Sequence, residues 1–274
     1  MNESQALADY LPQPGSDLHY ALLYAPRARQ RQLALIEALR GEIARVPANC
    51  SNPAIAATKL AWWREELARL ADGAPRHALT RALQPALAEL PSLPGATTTL
   101  VDAVAELLDA TRFPSREARF RALDAAHGPL WEIVIALCAP LEGPALLAAR
   151  RLGSRIEEAY ALRDMRRFVG GGLTLLAQDS VQAAESFAAA TALDDTTWYA
   201  RVVDHDLLHC IAALREGLAA LPARRALRPL ATLARIATAT LEEVRADGSS
   251  VWDRRIELTP LRKLWLAWRE RSGV

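Results

Sequence analysis

Residues 159–178, AYALRDMRRFVGGGLTLLAQ, form the stretch whose reading decides the fold. Its first half closes a helix predicted over residues 144–169. Arg163, Asp164, Arg166 and Arg167 give that helix end mixed charge. Asp164 follows Glu157 by seven residues, two turns along one face, so the two acids share a wall. Glu158 is not so aligned. Gly170, Gly171 and Gly172 come after the helix. A phosphate cradle precedes a helix, where the positive end of the dipole lies. The glycine run therefore reads as a helix stop or a flap.

On either side of this stretch the chain is helix after helix, punctuated by Pro and Gly. Ser16 or Asp17 caps a helix that Pro26 stops. Over residues 27–46, Leu35, Leu39 and Ile43 recur every four residues and make one apolar face. Over residues 54–70, Leu60, Trp63, Leu67 and Leu70 share a stripe. Further helices are predicted over residues 76–90, 97–110, 115–139, 179–190, 194–221, 224–246 and 258–271. The breakers are Pro91 and Pro94, Pro114, Pro140 and Gly143, the glycine run, Pro222 and Gly248. No repeat of solenoid period occurs, and no linker marks a domain border. The expectation is one all-α domain over residues 1–274, a helical bundle around a central cavity.

Composition agrees. Of 274 residues, 51% are hydrophobic and 24% charged, enough for a sizeable core in a globular protein. Ala, Leu, Arg and Glu dominate, all good helix formers. A net charge of +1 gives no global field for nucleic acid. Cys50, Cys138 and Cys210 are scattered without C-x-x-C, which suits a reducing compartment. No secretory signal and no transmembrane run is read, so the expected location is the cytoplasm, with peripheral membrane contact open.

The 159–178 stretch resembles the second signature of the squalene/phytoene synthase family, in which a helix carries L-R-D-x-x-x-D and R-G-R-x-Y-L-P follows. Leu162, Arg163 and Asp164 match its opening, and Gly172 and Leu176 fall in place. Phe168 replaces the second aspartate, Leu173 the arginine, Leu175 the tyrosine and Ala177 the proline. Three more anchors follow in the family's order: HYALLYAPRARQRQLALIEALRGE from His19, KLAWWREEL from Lys59, and RRIELTPLRKLWLAW from Arg254. In active members two acidic signatures face one another and hold magnesium ions on the diphosphates of two prenyl substrates. The first signature has no aspartate here. Between Leu39 and Cys50 the only acid is Glu42, with Arg45 one turn later. This resembles the family's non-catalytic branch, which includes a complex I assembly factor.

The resemblance implies an isoprenoid synthase fold with degenerate chemistry. It points to a protein that binds an isoprenoid diphosphate, an anionic lipid or a protein partner of a membrane-associated complex. No cofactor is expected. The alternative is a divergent prenyltransferase, which would require magnesium. The candidate ligand-binding residues are Glu42, Arg45, Trp63, Glu157, Tyr160, Asp164 and Arg167; no catalytic or metal-binding residue is assigned. If Arg45 and Arg167 face the old metal site, they would hold an anion directly, since arginine forks suit phosphate oxygens. Otherwise they pair with Glu42, Glu157, Glu158 and Asp164 and fill the space.

Other features read as structural. His205 and His209 have metal spacing but no third ligand. His77 and His127 stand alone in sequence. Trp62 and Trp63 diverge by about 100° on a helix, so at least one is core and the other could wall a ligand. The last helix joins Leu261, Leu264, Trp265 and Trp268 with Arg262, Lys263, Arg269 and Arg271. Packing on the domain and lying on an anionic bilayer are both open to it.

Overall fold

The protein is described by a computed structural model covering residues 7, 8, 10–50, 52–109, 113–170, 175–182, 195–248, 251 and 255–272. The described residues are almost wholly helical; their only β feature is an isolated bridge between Phe113 and Ala177. The principal helices are α1 (Asp17–Leu22), α2 (Arg27–Ala44), α3 (Pro53–Ala71), α4 (Ala78–Leu83), α5 (Leu93–Asp109), α6 (Arg116–Cys138), α7 (Gly143–Arg163), α8 (Met165–Gly170), α9 (Asp195–Ala219), α10 (Arg228–Ala246) and α11 (Pro260–Ser272).

The helix starts follow capping chemistry. Ser16 accepts from His19 N at 3.2 Å, Asn52 from Ala54 N at 2.8 Å and Ser115 from Ala118 N at 3.1 Å. Pro53 and Pro229 sit in first turns, where a missing N–H costs nothing. The same rule corrects two expected boundaries. Pro94 is not a breaker: α5 starts at Leu93, with the proline in its first turn. The helix expected over 76–90 is shorter, because Pro85 diverts α4 into a 3₁₀ turn at Gln84–Ala86. The helix expected over 144–169 breaks in two at Asp164, the C-cap of α7. Of the glycine run, Gly170 ends α8, and Gly171 and Gly172 lie outside the described residues. So does most of the helix expected over 179–190.

One apolar cluster runs through the bundle from Ala21 to Val251 and includes Leu39, Ile43, Trp131, Ile156, Leu207 and Leu241. The central pair is α6 and α7. A Cβ on Gly153 would lie 2.3 Å from the Trp131 ring, and one on Gly128 would lie 2.2 Å from Arg150 Nε. These glycines let an indole and a guanidinium cross the neighbouring backbone, which draws the two helices together. Arg150 then ties to Asp124 at 3.1 Å and to Glu132 at 2.7 Å. A second buried network joins α6, α7 and α9. Arg119 bonds Glu158 at 3.1 Å and Asp206 at 2.5 Å, and Arg155 bonds the other oxygen of Glu158 at 2.5 Å. With both carboxylates bonded and Arg119 donating through all three of its nitrogens, one of them to Leu175 O, this network pairs its own charge and ties in the cavity wall at Leu175.

Candidate functional site

Helices α2 and α7 meet across a cavity of about 690 Å³. α2 presents Glu37, Arg40, Gly41 and Ala44; α7 presents Glu157, Tyr160, Ala161 and its C-cap Asp164. Both sets are spaced i, i+3, i+4, i+7, one stripe on each helix. Apolar walls come from Leu18, Val104, Leu107, Leu123, Phe168, Leu175 and Leu233.

Arg40 spans the gap between the two helices. Its guanidinium bonds Glu37 on its own helix and Glu157 on α7, and all three are buried. Its carbon also lies 5.2 Å from the Trp131 ring centroid. Burial favours the neutral form of Arg40, but Glu157 and Glu37 outweigh it and hold the cation above its ordinary value. Burial pushes the Glu157 carboxyl up; Arg40 opposes this and Glu37 reinforces it, leaving Glu157 at about 7. Burial, with Arg40 adding to it, drives His127 down to about 3, so its ring is neutral. On the cavity wall, Glu37 Oε1, Arg40 Nε, His127 Nδ1, Glu157 Oε1 and the Tyr160 hydroxyl have no hydrogen-bond partner among the described residues. Buried donors and acceptors left in this state suit a polar group of a ligand.

The outer part of the wall is mixed and richer in cations. Asp164 is bonded by Arg163 and by Arg255, each at 2.9 Å. Arg163 lies 4.7 Å from the Tyr160 ring centroid and 3.5 Å from Asp17, which Lys263 meets at 2.6 Å. Arg45, Arg167 and Arg255 are exposed at the rim.

Of the residues singled out from sequence, Arg45, Glu157, Tyr160, Asp164 and Arg167 line this cavity. Glu42 and Trp63 do not. Glu42 lies two residues from Arg40, about 200° around the helix. It is partly exposed and pairs with Arg45 at 3.6 Å. Trp63 belongs to the core stripe of α3, edge-on to Trp62 and His77 with centroids 5.0 Å away in each case. Sequence reasoning missed Glu37, Arg40 and His127. The available signal was an acid and a base one turn apart inside the apolar run LALIEALRGEI.

This residue set does not fit a pair of magnesium ions. The carboxylates facing across the gap are already joined through an arginine, and Asp164 is held between two more. Among the described residues no group of three His, Cys, Asp or Glu side chains converges as a metal site. His205 and His209 do not form one either: Arg116 donates to His205 Nδ1 at 2.8 Å, and the two rings stand edge-on. His77 is structural, accepting from Leu79 N at 3.3 Å as the cap of α4. Buried Glu66 completes that corner. Burial works against its charge, but donation from His77 N, Thr80, Arg69 and Arg76 N prevails and holds it at about 2.

An all-α bundle with an apolar cavity between two charge-bearing helices is the architecture of isoprenoid synthases, and solved structures show the same fold. A dehydrosqualene synthase in complex with ligand superposes with a TM-score of 0.75 at 17% identity, covering 94% of this chain and 91% of that one. Squalene synthase HpnC from Alicyclobacillus acidocaldarius gives 0.66 at 16%, covering 90% and 94%. YisP from Bacillus subtilis subsp. subtilis strain 168 gives 0.63 at 12%, covering 97% and 94%. The squalene/phytoene synthase family profile matches residues 11–262, and the chain belongs to that family. No protein of curated function matches the sequence.

Proposed function

We propose that this protein binds an isoprenoid or lipid amphiphile in its cavity and does not carry out the family's magnesium-dependent condensation. The observation that supports this is Arg40, wedged between Glu37 and Glu157. Ionisation of an allylic diphosphate needs the developing negative charge neutralised, which hard divalent ions on free carboxylates do well. Here each carboxylate already gives one oxygen, and its field, to an internal cation. The arginines at the rim offer planar donors to an anionic head group without a metal. The apolar wall suits a hydrocarbon tail, and the volume lies within the range of small-molecule sites.

The competing reading is a divergent prenyltransferase, favoured by the synthase names of two of its structural neighbours. One experiment separates the two. The protein is incubated with farnesyl and geranylgeranyl diphosphate and magnesium, and released diphosphate and hydrocarbon products are measured. Binding of the same ligands is titrated with magnesium and with a chelator. The expected result is no product and equal affinity in both buffers. A squalene- or phytoene-like product, or binding that appears only with magnesium, overturns the proposal.

A further inference from the structure

Helix α11 is amphipathic the wrong way round for a helix packed on a globular core. Its exposed residues include Leu261 at 78%, Leu264 at 40%, Trp265 at 50% and Trp268 at 49%. Its buried residues include Lys263 at 3% and Glu270 at 6%. Both buried charges are satisfied: Lys263 pairs with Asp17 at 2.6 Å, and Glu270 accepts from Arg224 at 2.5 Å and from Arg235. The inner face is therefore docked by salt bridges and by Leu266 and Ala267, packed beside Tyr20 and Ile236. The outer face carries the large apolar side chains.

At about 100° per residue, Leu261, Leu264, Trp265 and Trp268 fall within a stripe about 100° wide, opposite Lys263 and Glu270. Arg262 and Arg269 flank the stripe on one side and Arg271 on the other. Glu270 is the only acid on the helix and it faces inward, so the charge beside the stripe is basic. Arg262 also reaches Glu243 on α10, and the Arg269 guanidinium lies 4.7 Å from the Trp265 ring centroid.

We infer that this face docks the protein on an anionic lipid surface, with the two indoles and two leucines at the head-group boundary. A Trp- and Leu-bearing stripe between arginines matches an interfacial helix in both geometry and charge. Tryptophan suits that boundary, having an apolar ring with one polar edge. A second copy of the chain fits less well. Four side chains at these exposures present a few hundred Å², below the roughly 800 Å² per partner of a stable protein interface. Four exposed apolar side chains meeting their own copy would also bring like charges together.

Flotation with vesicles tests this, comparing phosphatidylcholine alone with phosphatidylcholine containing about a third phosphatidylglycerol. The wild-type protein is expected to float with the anionic vesicles only, and less in high salt. The double variant Trp265→Ala/Trp268→Ala is expected to lose at least about tenfold in partitioning at an unchanged melting temperature, because both rings are already half exposed. Brominated lipid should quench the wild type more strongly than the variant. Equal flotation of the variant, no flotation of the wild type, or equal binding to neutral vesicles would overturn the inference. So would a wild-type dimer in sedimentation that the variant abolishes, since the face would then belong to a second copy.

Discussion

Arg40 and Glu157 make the cavity sensitive to pH in a direction set by the sign of their coupling. Burial raises Glu157 to about 7 in the folded state, against about 4.5 in the unfolded chain. A carboxyl raised on folding contributes stability that is full below the unfolded value and lost as pH rises through the folded one. Urea unfolding should therefore show this contribution fading between about pH 4.5 and pH 7, and Glu157→Gln should flatten that part of the profile. Removing the cation is a harsher test. Arg40→Met leaves two buried carboxylates opposed and should cost about 3–5 kcal/mol at neutral pH, the usual penalty for breaking a buried pair. The loss should be smaller at pH 5, where Glu157 takes up a proton. A variant equally destabilised at both pH values would mean that Arg40 acts through packing on Trp131 rather than through charge.

At the scale of elements, the α6–α7 contact is the most exacting. Gly153 lets the Trp131 ring lie where a Cβ would stand, and the indole is fully buried. Gly153→Ala should destabilise by about 1–3 kcal/mol, the range for overpacking a filled core. Gly143→Ala makes the control for backbone effects. It has open space around its Cβ position but a φ of +54°, so it reports strain without a clash. The positions of most helices were legible from periodicity, caps and prolines. The exceptions have local causes. Proline in a first turn continues a helix rather than breaking it, as at Pro94. At Asp164, side-chain bonds to Arg163 and Arg255 accompany a break in what periodicity reads as one helix.

For the whole molecule, a cavity that binds its ligand only when folded must report that ligand as added stability. At a concentration about 100 times the Kd, the gain is about 2.7 kcal/mol. Thermal unfolding with farnesyl diphosphate in chelator should rise accordingly, and magnesium should add nothing. A magnesium-dependent shift would count against an arginine-neutralised site. Among the described residues, no single helix is long and apolar enough to cross a membrane.

Sequence alone determined the helical class and the family, because both rest on local quantities: the spacing of apolar residues, capping and breaking residues, and ordered motif fragments. It also showed no aspartate where the family resemblance places the first acidic signature. Only the tertiary structure decided which charges meet across the cavity. Arg40 and Arg45 are five residues apart, about 140° around the helix, and either could have met Glu157. The choice follows from how the bundle rotates α2 to bury Leu33, Ile36, Leu39 and Ile43. That rotation carries Glu37 and Arg40 inward to meet Glu157 and leaves Glu42 and Arg45 nearer solvent. The outward face of α11 was settled in the same way, by salt bridges from Lys263 and Glu270 to residues distant in the chain.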